Sequence, residues 1–194
     1  GLGDVYKRQL ERFKGEFLAQ NVFLTDEAAF NGAKAFDPAS GRVFKPATVK
    51  EVGGYRVAVI GQAFPYVPIA HPKRLTPDWT FGIREQELQT LIDNLRSTEK
   101  ADAVLLLSHN GMDVDLKLAS RVRGLDVILG GHTHDAIPQA IAASAFNSSE
   151  NTGNRRYRTS RTRPLSRSRS STPRNLPFEP ALVTSVVPPV LATA

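Results

Sequence analysis

The 194-residue sequence contains no cysteine, which excludes disulfide bonds, thiolate metal ligands and a cysteine nucleophile. It also contains only one methionine, one tryptophan and four histidines. No apolar run approaches the roughly 20 residues that a membrane-spanning helix needs. We therefore expect no membrane partner, and any metal site in this chain has to use nitrogen or oxygen ligands.

Lysine is missing from the C-terminal part of the chain, and the charge is unevenly distributed. Residues 1–135 carry 17 basic and 17 acidic side chains, so their formal charges cancel. Residues 136–194 carry eight arginines against two glutamates, which accounts for the whole net charge of +6. The basic composition is therefore no sign that the folded part binds nucleic acid, and we favour no nucleic-acid partner.

The composition predicts three parts. Residues 1–9 resemble a translated sequencing-adapter remnant and are interpreted as a non-native leader. Residues 10–138 hold the regular patterns of a partial domain. Residues 139–194 form a low-complexity segment rich in arginine and serine that cannot bury enough apolar surface to fold alone, so we expect a disordered or out-of-frame tail. An RNA-binding arginine/serine segment is the functional alternative for this tail.

Hydrophobic patterns in the middle of the chain predict an α/β fold. The predicted strands are 17–23, 44–52, 55–60, 103–107 and 125–129, and the predicted helices are 83–98 and 113–123. The continuous apolar run at 103–107 is typical of a strand buried on both faces. A long loop rich in proline and aromatic residues spans 62–82, and loops of that length are often functional. Strands that alternate with helices indicate βαβ units around a mainly parallel sheet.

Three of the four histidines follow two of these strands directly. His109 comes after the strand at 103–107, and His132 and His134 come after a glycine pair that ends the strand at 125–129. The carboxyl ends of neighbouring parallel strands meet at one edge of a sheet, so we expect the three imidazoles to converge. In extended backbone His132 and His134 face the same side. Neutral imidazole suits zinc, manganese and iron, so the pattern predicts a metal site.

Polar neighbours of these histidines are candidates for supporting roles. Asp135 is suited either to orient a ligand histidine or to cap the turn. Asn110 is either a polar group of the site or a turn residue. His71, in the long loop, is a further candidate for the substrate site, although a lone histidine is more often a packed or surface residue. Ser108 and His109 have no orienting acid in view, so we name no catalytic nucleophile.

The motifs around the histidines resemble a known family. Residues 107–119 (LSHNGMDVDLKLA) and 124–135 (GLDVILGGHTHD) closely resemble calcineurin-like metallophosphoesterases of the 5′-nucleotidase type. Residues 59–74 (VIGQAFPYVPIAHPKR) and 17–23 (FLAQNVF) are similar to the SoxB-type thiosulfohydrolases of the sulfur-oxidation (Sox) pathway within that superfamily. The resemblance covers about residues 11–138. It implies a fragment of the metallophosphoesterase sandwich, with mainly parallel strands.

The resemblance also implies an activity and its cofactors. It implies two divalent metal ions, most often Mn²⁺, with His109 and His132 on one ion and His134 on the other. The implied enzyme is periplasmic and hydrolyses a cysteine-bound thiosulfonate on a sulfur-carrier protein of the Sox system, releasing sulfate. In such sites the ions activate water and stabilise charge on the reacting oxygens.

The sequence also departs from the family pattern. The family motifs Asp-x-His and Gly-Asn-His-Glu are not found in residues 1–108, and Gly-Asp occurs there only at 3–4 in the predicted leader, so only part of the ligand set is present. We therefore expect weak metal binding and no turnover by this chain alone. Two other functions remain open: a 5′-nucleotidase or cyclic-nucleotide phosphoesterase, and a non-catalytic binding module with a basic, RNA-binding tail.

Overall fold

A computed structural model describes residues 11–134, 137, 139–143 and 181–185. In chain order the strands are β1 (Phe23–Leu24), β2 (Ala47–Val52), β3 (Tyr55–Gln62), β4 (Trp79–Thr80), β5 (Ala103–Ser108), β6 (Val127–Gly130), β7 (Ile141–Ala143) and β8 (Ala181–Ser185). The helices are α1 (Asp26–Phe30), α2 (Val67–Ala70), α3 (Glu85–Ser97) and α4 (Met112–Ala119), with a 3₁₀ turn at Lys73–Leu75. None of the helices within these ranges is long and apolar enough to cross a membrane.

Strands β2 and β3 form the hairpin that the sequence predicts. They pair antiparallel, with Val52 opposite Tyr55, and the two residues between them are Gly53 and Gly54. Both glycines have positive φ, 61° and 81°. A two-residue hairpin turn of this kind needs positive φ at both positions, which glycine adopts without steric cost.

Six strands form one mixed sheet in the order β2-β3-β5-β6-β8-β7. The four inner strands β3, β5, β6 and β8 run parallel, and α3 and α4 connect β3 to β5 and β5 to β6. This architecture confirms the predicted α/β class with mainly parallel strands. Gln62 pairs with Ser108, and Ser108 pairs with Gly130, so three neighbouring strands end level with one another.

The core lies between the sheet and helices α3 and α4. Helix α3 buries Leu88, Ile92 and Leu95, which lie on one face at helical spacing. Alternate side chains of the inner strands meet them, and these are Ala58, Ile60, Val104, Leu106, Ile128 and Val183. Burial of this apolar set is the main favourable contribution to the stability of the fold.

The opposite face of the sheet is not covered to the same degree, which corrects the prediction that β5 is buried on both faces. Leu106 is 0 % exposed, whereas its neighbour Leu107 is 45 % exposed. Leu105 and the outward residues of the adjoining strands are half-buried: Val57, Val59, Val127 and Leu129. We call this set, with Leu107, the open face. Successive side chains of a strand point to opposite sides, so one-sided covering produces this alternation.

Two stretches of the segment 139–194 belong to the sheet. β8 lies between β6 and β7 and pairs with both of them. At 141–143 and 181–185 the structure therefore corrects the prediction of a disordered tail, because both stretches are uncharged and supply apolar side chains to the sheet. Residues 144–180 and 186–194, together with the predicted leader at 1–9, lie outside the described residues.

The predicted strand at 17–23 is wrong except at its last residue, because β1 covers only Phe23–Leu24. The preceding stretch instead crosses the end of β3, where Gln20 N–H donates to the Gly61 carbonyl at 2.8 Å. A Cβ atom on Gly61 would lie 2.0 Å from the Leu18 carbonyl oxygen, so only glycine permits this crossing. The buried side chains of Gln20 and Asn21 make hydrogen bonds there that a β-ladder does not provide.

Candidate metal centre

Two histidines come together at the carboxyl ends of β5 and β6. His109 follows β5 directly, and Gly131 alone separates His132 from β6. The centres of the two imidazole rings lie 5.2 Å apart, and the ring planes are inclined by 68°. Two imidazoles that bind one ion through nitrogens about 2.1 Å from it have ring centres roughly 5 Å apart. The ring separation therefore fits a shared metal ion.

Gly131 allows the two histidine loops to approach each other. A Cβ atom at this position would lie 3.4 Å from His109 Nδ1 and 3.4 Å from the Ser108 carbonyl oxygen. These distances are at the short end of ordinary van der Waals contact, so the β5 and β6 loops pack closely at this position. The second glycine of the Gly-Gly-His sequence thus lies directly against the His109 ring.

The backbone after β6 turns sharply, which corrects the prediction that His132 and His134 lie in extended backbone. His132 has φ of 80° and His134 has φ of 59°. Thr133 N–H donates to the Gly131 carbonyl at 3.1 Å, which closes a three-residue γ-turn centred on His132. Alternate residues share a side only in extended backbone, so these φ values give no reason for His132 and His134 to face the same side.

His134 is exposed and lies beside the pair rather than within it. Its positive charge contributes to lowering the pKa of His109, so it is close enough to interact electrostatically. Across the described ranges, however, no group of three or more histidine, aspartate or glutamate side chains is arranged to hold a metal ion. By donor type and separation His109 and His132 fit one ion, and these two nitrogens are only part of a ligand set.

An aromatic side chain from the long loop covers the pair. Phe64 stacks on His132 with 4.2 Å between ring centres and an interplanar angle of 27°. Its ring is inclined by 74° to that of Tyr66, with 5.6 Å between the ring centres. The prediction did not single out Phe64, although its place in the aromatic stretch just after β3 was the available signal.

The surroundings of His109 favour its neutral form. Burial against its neighbours is the main cause of a lowered pKa, and the charges of His132 and His134 act in the same direction. Although the residue as a whole is exposed, its ring lies beside the rings of Phe64 and His132. Metal ions bind the neutral imidazole, so a lowered pKa reduces competition from protons.

A buried carboxylate lies beneath the histidine loops. Asp115, on α4, is 0 % exposed, and burial raises its pKa to about 6. Its Oδ1 atom accepts hydrogen bonds from Ser108 Oγ at 2.6 Å and from Asn110 Nδ2 at 3.0 Å. Asn110 is itself buried, so its side chain supports the loop from below.

The hydrogen bonds continue from Asn110 to the end of β3 and beyond. Gln62 Nε2 donates to Asn110 Oδ1 at 3.3 Å, and Gln20 Nε2 donates to Gln62 Oε1 at 2.7 Å. We call these five side chains, Gln20, Gln62, Asn110, Asp115 and Ser108, the buried polar chain. It joins the ends of β3 and β5 to helix α4 directly under the imidazole pair.

The remaining predicted residues are not part of the imidazole pair. His71 is exposed and lies at the C-terminus of α2, where its N–H donates to the Val67 carbonyl at 2.9 Å. Asp135 lies outside the described residues, so its two possible roles remain predictions.

Sequence reasoning missed the role of Asp115 beneath the imidazole pair. The signal was present in the spacing. Asp115 lies three and four residues before Leu118 and Ala119, and all three are the buried residues of α4. Helical periodicity places residues at this spacing on one face, so a carboxylate in that register belongs to the core side of the helix.

Comparison with known proteins identifies relatives that resemble the chain in amino-acid sequence. No family model matches the chain. The 5′-nucleotidase of Diplobatis ommata is 34% identical over 92 residues, which are 47% of this chain and 15% of that protein. Protein UshA of Yersinia enterocolitica is 31% identical over an alignment of 112 residues, which covers 51% of this chain and 20% of UshA. The chain therefore spans a fifth or less of the length of these relatives.

Two solved structures also resemble a part of this chain. The sulfate thiohydrolase SoxB of Thermus thermophilus, solved with glycerol, has a TM-score of 0.61 and 37% sequence identity, over 73% of this chain and 25% of that one. The calcineurin-like phosphoesterase YfkN of Bacillus subtilis has a TM-score of 0.56 at 19% identity, over 71% of this chain and 42% of that one, which shows the shared fold alone.

The fold, the imidazole pair and these similarities point to one class. The chain is similar to hydrolases of the 5′-nucleotidase and metallophosphoesterase superfamily and matches a part of their length. Among the structures compared, SoxB combines the same fold with 37% identity.

Proposed function

We propose that this chain forms part of the metal centre of a SoxB-type thiosulfohydrolase. In this proposal His109 and His132 hold one divalent ion and His134 contributes to a second, most often Mn²⁺. The substrate is a thiosulfonate carried on a cysteine of a sulfur-carrier protein, sulfate is the product, and the reaction takes place in the periplasm. The proposal rests on the 37% identity to SoxB and on the residues that the resemblance matches.

One observation carries the metal assignment. The rings of His109 and His132 lie 5.2 Å apart at the ends of adjacent parallel strands. When bound, divalent ions in hydrolases lower the pKa of water and stabilise charge on the reacting oxygens. The chain's own contribution is to hold the two imidazoles together and to cover one face of His132 with Phe64, which limits access of water on that side.

A second candidate is hydrolysis of a nucleotide phosphate ester. It is favoured by the curated relatives, because the protein from Diplobatis ommata is named a 5′-nucleotidase and is 34% identical over 92 residues. The imidazole pair suits either reaction, since both place a charged oxyanion group beside the metal ions. The two candidates therefore differ in substrate and share the site.

The experiment that separates them compares two substrates on the complete gene product that carries these residues. With Mn²⁺ present, we expect sulfate release from a thiosulfonate-loaded carrier protein to exceed phosphate release from adenosine monophosphate at least a hundredfold in kcat/KM. His109→Ala and His132→Ala are each expected to reduce the preferred activity at least a hundredfold, since each removes a proposed metal ligand.

The matched control is His71→Ala, which removes an exposed imidazole outside the pair and should leave kcat/KM within about twofold. Phosphate release faster than sulfate release would favour the second candidate. Full activity in His109→Ala or His132→Ala would contradict the metal assignment for both candidates.

A further inference from the structure

The two neighbours of His109 are bound to the same buried oxygen atom. Ser108 Oγ donates to Asp115 Oδ1 at 2.6 Å, and Asn110 Nδ2 donates to that same atom at 3.0 Å. Asn110 N–H also donates to Ser108 Oγ at 3.1 Å, which closes a ring of hydrogen bonds around the His109 backbone. The position of His109 is thus fixed from both sides by one carboxylate.

The other oxygen of Asp115 lies under the second histidine loop. A Cβ atom on Gly130 would lie 2.8 Å from Asp115 Oδ2, so the carboxylate packs against the bare Cα of the residue that ends β6. Gly130 is two residues before His132. One carboxylate therefore touches both loops that carry the imidazole pair.

Asp115 determines which group donates and which group accepts in each hydrogen bond of the buried polar chain. An ionised carboxylate only accepts hydrogen bonds, so Asn110 has to donate to it and Asn110 Oδ1 is left to accept from Gln62. Gln62 in turn accepts from Gln20. In the described part of the chain the buried side-chain atoms without a partner are Gln20 Oε1 and Asp115 Oδ2, which are the two ends of this chain.

Burial of this carboxylate needs an explanation beyond packing. A buried charged or polar group costs free energy unless its hydrogen bonds compensate, and a leucine in its place would pack at no such cost. The groups that Asp115 bonds are the two neighbours of His109. Through Asn110 and Gln62 it also reaches the end of β3, whose carbonyl at Gln62 accepts from His109 N–H at 3.0 Å.

We propose that Asp115 is the positioning residue that sets the distance between the His109 and His132 loops, a role that rests on the proposed function of those two histidines. It acts through Ser108 and Asn110 on one loop and through Gly130 on the other, and it contacts neither imidazole. Gln62 and Gln20 link the same carboxylate to β3, so the three strand ends move as one unit.

Nuclear magnetic resonance of the 194-residue chain with labelled histidines tests this without a metal, because four histidines give four resolvable ring signals. The wild type should show a nuclear Overhauser contact between the His109 and His132 rings. Asp115→Ala should lose it, because nothing then accepts from Ser108 and Asn110. Asp115→Asn should keep it, because the carboxamide oxygen still accepts both bonds. Asp113→Asn, an exposed residue of the same helix with the same change in charge, should leave it unchanged.

If Asp115→Ala does not fold, Ser108→Ala decides, because it removes one of the two bonds with little change in volume. A folded variant that keeps the ring contact at wild-type intensity overturns the proposal.

Addition of Mn²⁺ alone then tests the underlying function. We expect selective broadening of His109 and His132 relative to His71 in the wild type and at least tenfold weaker Mn²⁺ binding in Asp115→Ala. Absence of selective broadening in the wild type would contradict the metal assignment while leaving the metal-free result standing.

Discussion

At the scale of single residues, the carboxyl group of Asp115 links stability to pH. Burial raises its pKa in the folded chain from 3.8 to about 6, so between these values the folded chain binds a proton that the unfolded chain has released. The free energy of unfolding contributed by this group is therefore largest below pH 3.8 and falls as pH rises toward 6.

Asp115→Asn should remove this dependence. Relative to the wild type, the variant should gain stability by up to about 3 kcal/mol as pH is raised from about 4 to about 8. Urea unfolding of both proteins at a series of pH values measures the difference, with Asp113→Asn as the control for the loss of one charge. A difference that does not change with pH would show that the carboxyl has the same pKa in both states.

Gly130 provides a second prediction at this scale. Gly130→Ala places a Cβ atom 2.8 Å from Asp115 Oδ2 in a buried setting, so the strand end or the carboxylate has to move. We expect a loss of about 1–3 kcal/mol in the free energy of unfolding, as for other overpacked sites. Gly82→Ala is the matched control, because the atom nearest to its Cβ is Arg84 Nε at 3.4 Å, at the end of a flexible side chain. Equal effects of the two substitutions would contradict the close packing at Gly130.

Residue patterns predict that His109 and His132 converge. The carboxyl ends of neighbouring parallel strands meet at one edge of a sheet, and this expectation needs only the order of strands and helices along the chain. Residue patterns do not predict the ring of hydrogen bonds beneath the pair. Gln20 and Asp115 are separated by most of the described chain, and their link through Gln62 depends on how the 17–22 stretch crosses Gly61. Such links arise from tertiary packing, which the local pattern does not encode.

At the scale of elements, Arg96 joins the end of α3 to the loops before β5 and β6. Its guanidinium donates to the carbonyls of Gly124 at 3.0 and 3.1 Å, Ala101 at 3.1 Å and Asp102 at 2.9 Å. It also pairs with the carboxylate of Asp126. Arg96 therefore fixes the helix against the starts of the two strands that lead to the histidines.

Arg96→Lys should lower the free energy of unfolding by about 1–3 kcal/mol, because an ammonium group cannot reproduce a planar set of donors that reaches several carbonyls at once. Arg121→Lys is the control, since Arg121 makes an exposed ion pair with Glu85 at 3.0 Å, and its change should stay below about 0.5 kcal/mol. Thermal and urea unfolding of the three proteins provide the comparison. A loss in Arg121→Lys as large as that in Arg96→Lys would contradict this account.

Elements with strong periodic patterns were predicted closely. The helix predicted at 83–98 is α3 (Glu85–Ser97), and the hairpin with its glycine pair is present. Helix α4 (Met112–Ala119) ends four residues before the prediction, at Ser120, whose N–H is already shared between the carbonyls of Leu116 and Lys117. The strand predicted at 17–23 failed because its polar residues bind to the ends of other strands instead of forming a ladder.

At the scale of the whole molecule, the sheet has one covered face and one open face. Adjacent residues of β5 test this directly, because Leu106 is 0 % exposed and Leu107 is 45 % exposed. Leu106→Ala should cost about 2–5 kcal/mol in the free energy of unfolding, as expected for a cavity in a core. Leu107→Ala should cost less than about 1 kcal/mol, since it removes atoms already in contact with water.

Urea unfolding of the two variants measures the difference, and each is the other's control for the loss of the same side chain. Equal losses would mean that something covers the open face in solution. A small loss at both positions would contradict the placement of the core between the sheet and helix α3.

The γ-turn holds His132 in a backbone conformation that L-amino acids rarely adopt. A residue at φ of 80° is in the region that a D-amino acid prefers, so a chain assembled with D-histidine at this position would have a relaxed backbone and its ring on the wrong side. Glycine would relax the backbone and remove the ring. Only the L-enantiomer brings the imidazole to His109, at a cost of about 1–3 kcal/mol in backbone strain. The imidazole of His132 thus reaches His109 against the preference of its own backbone.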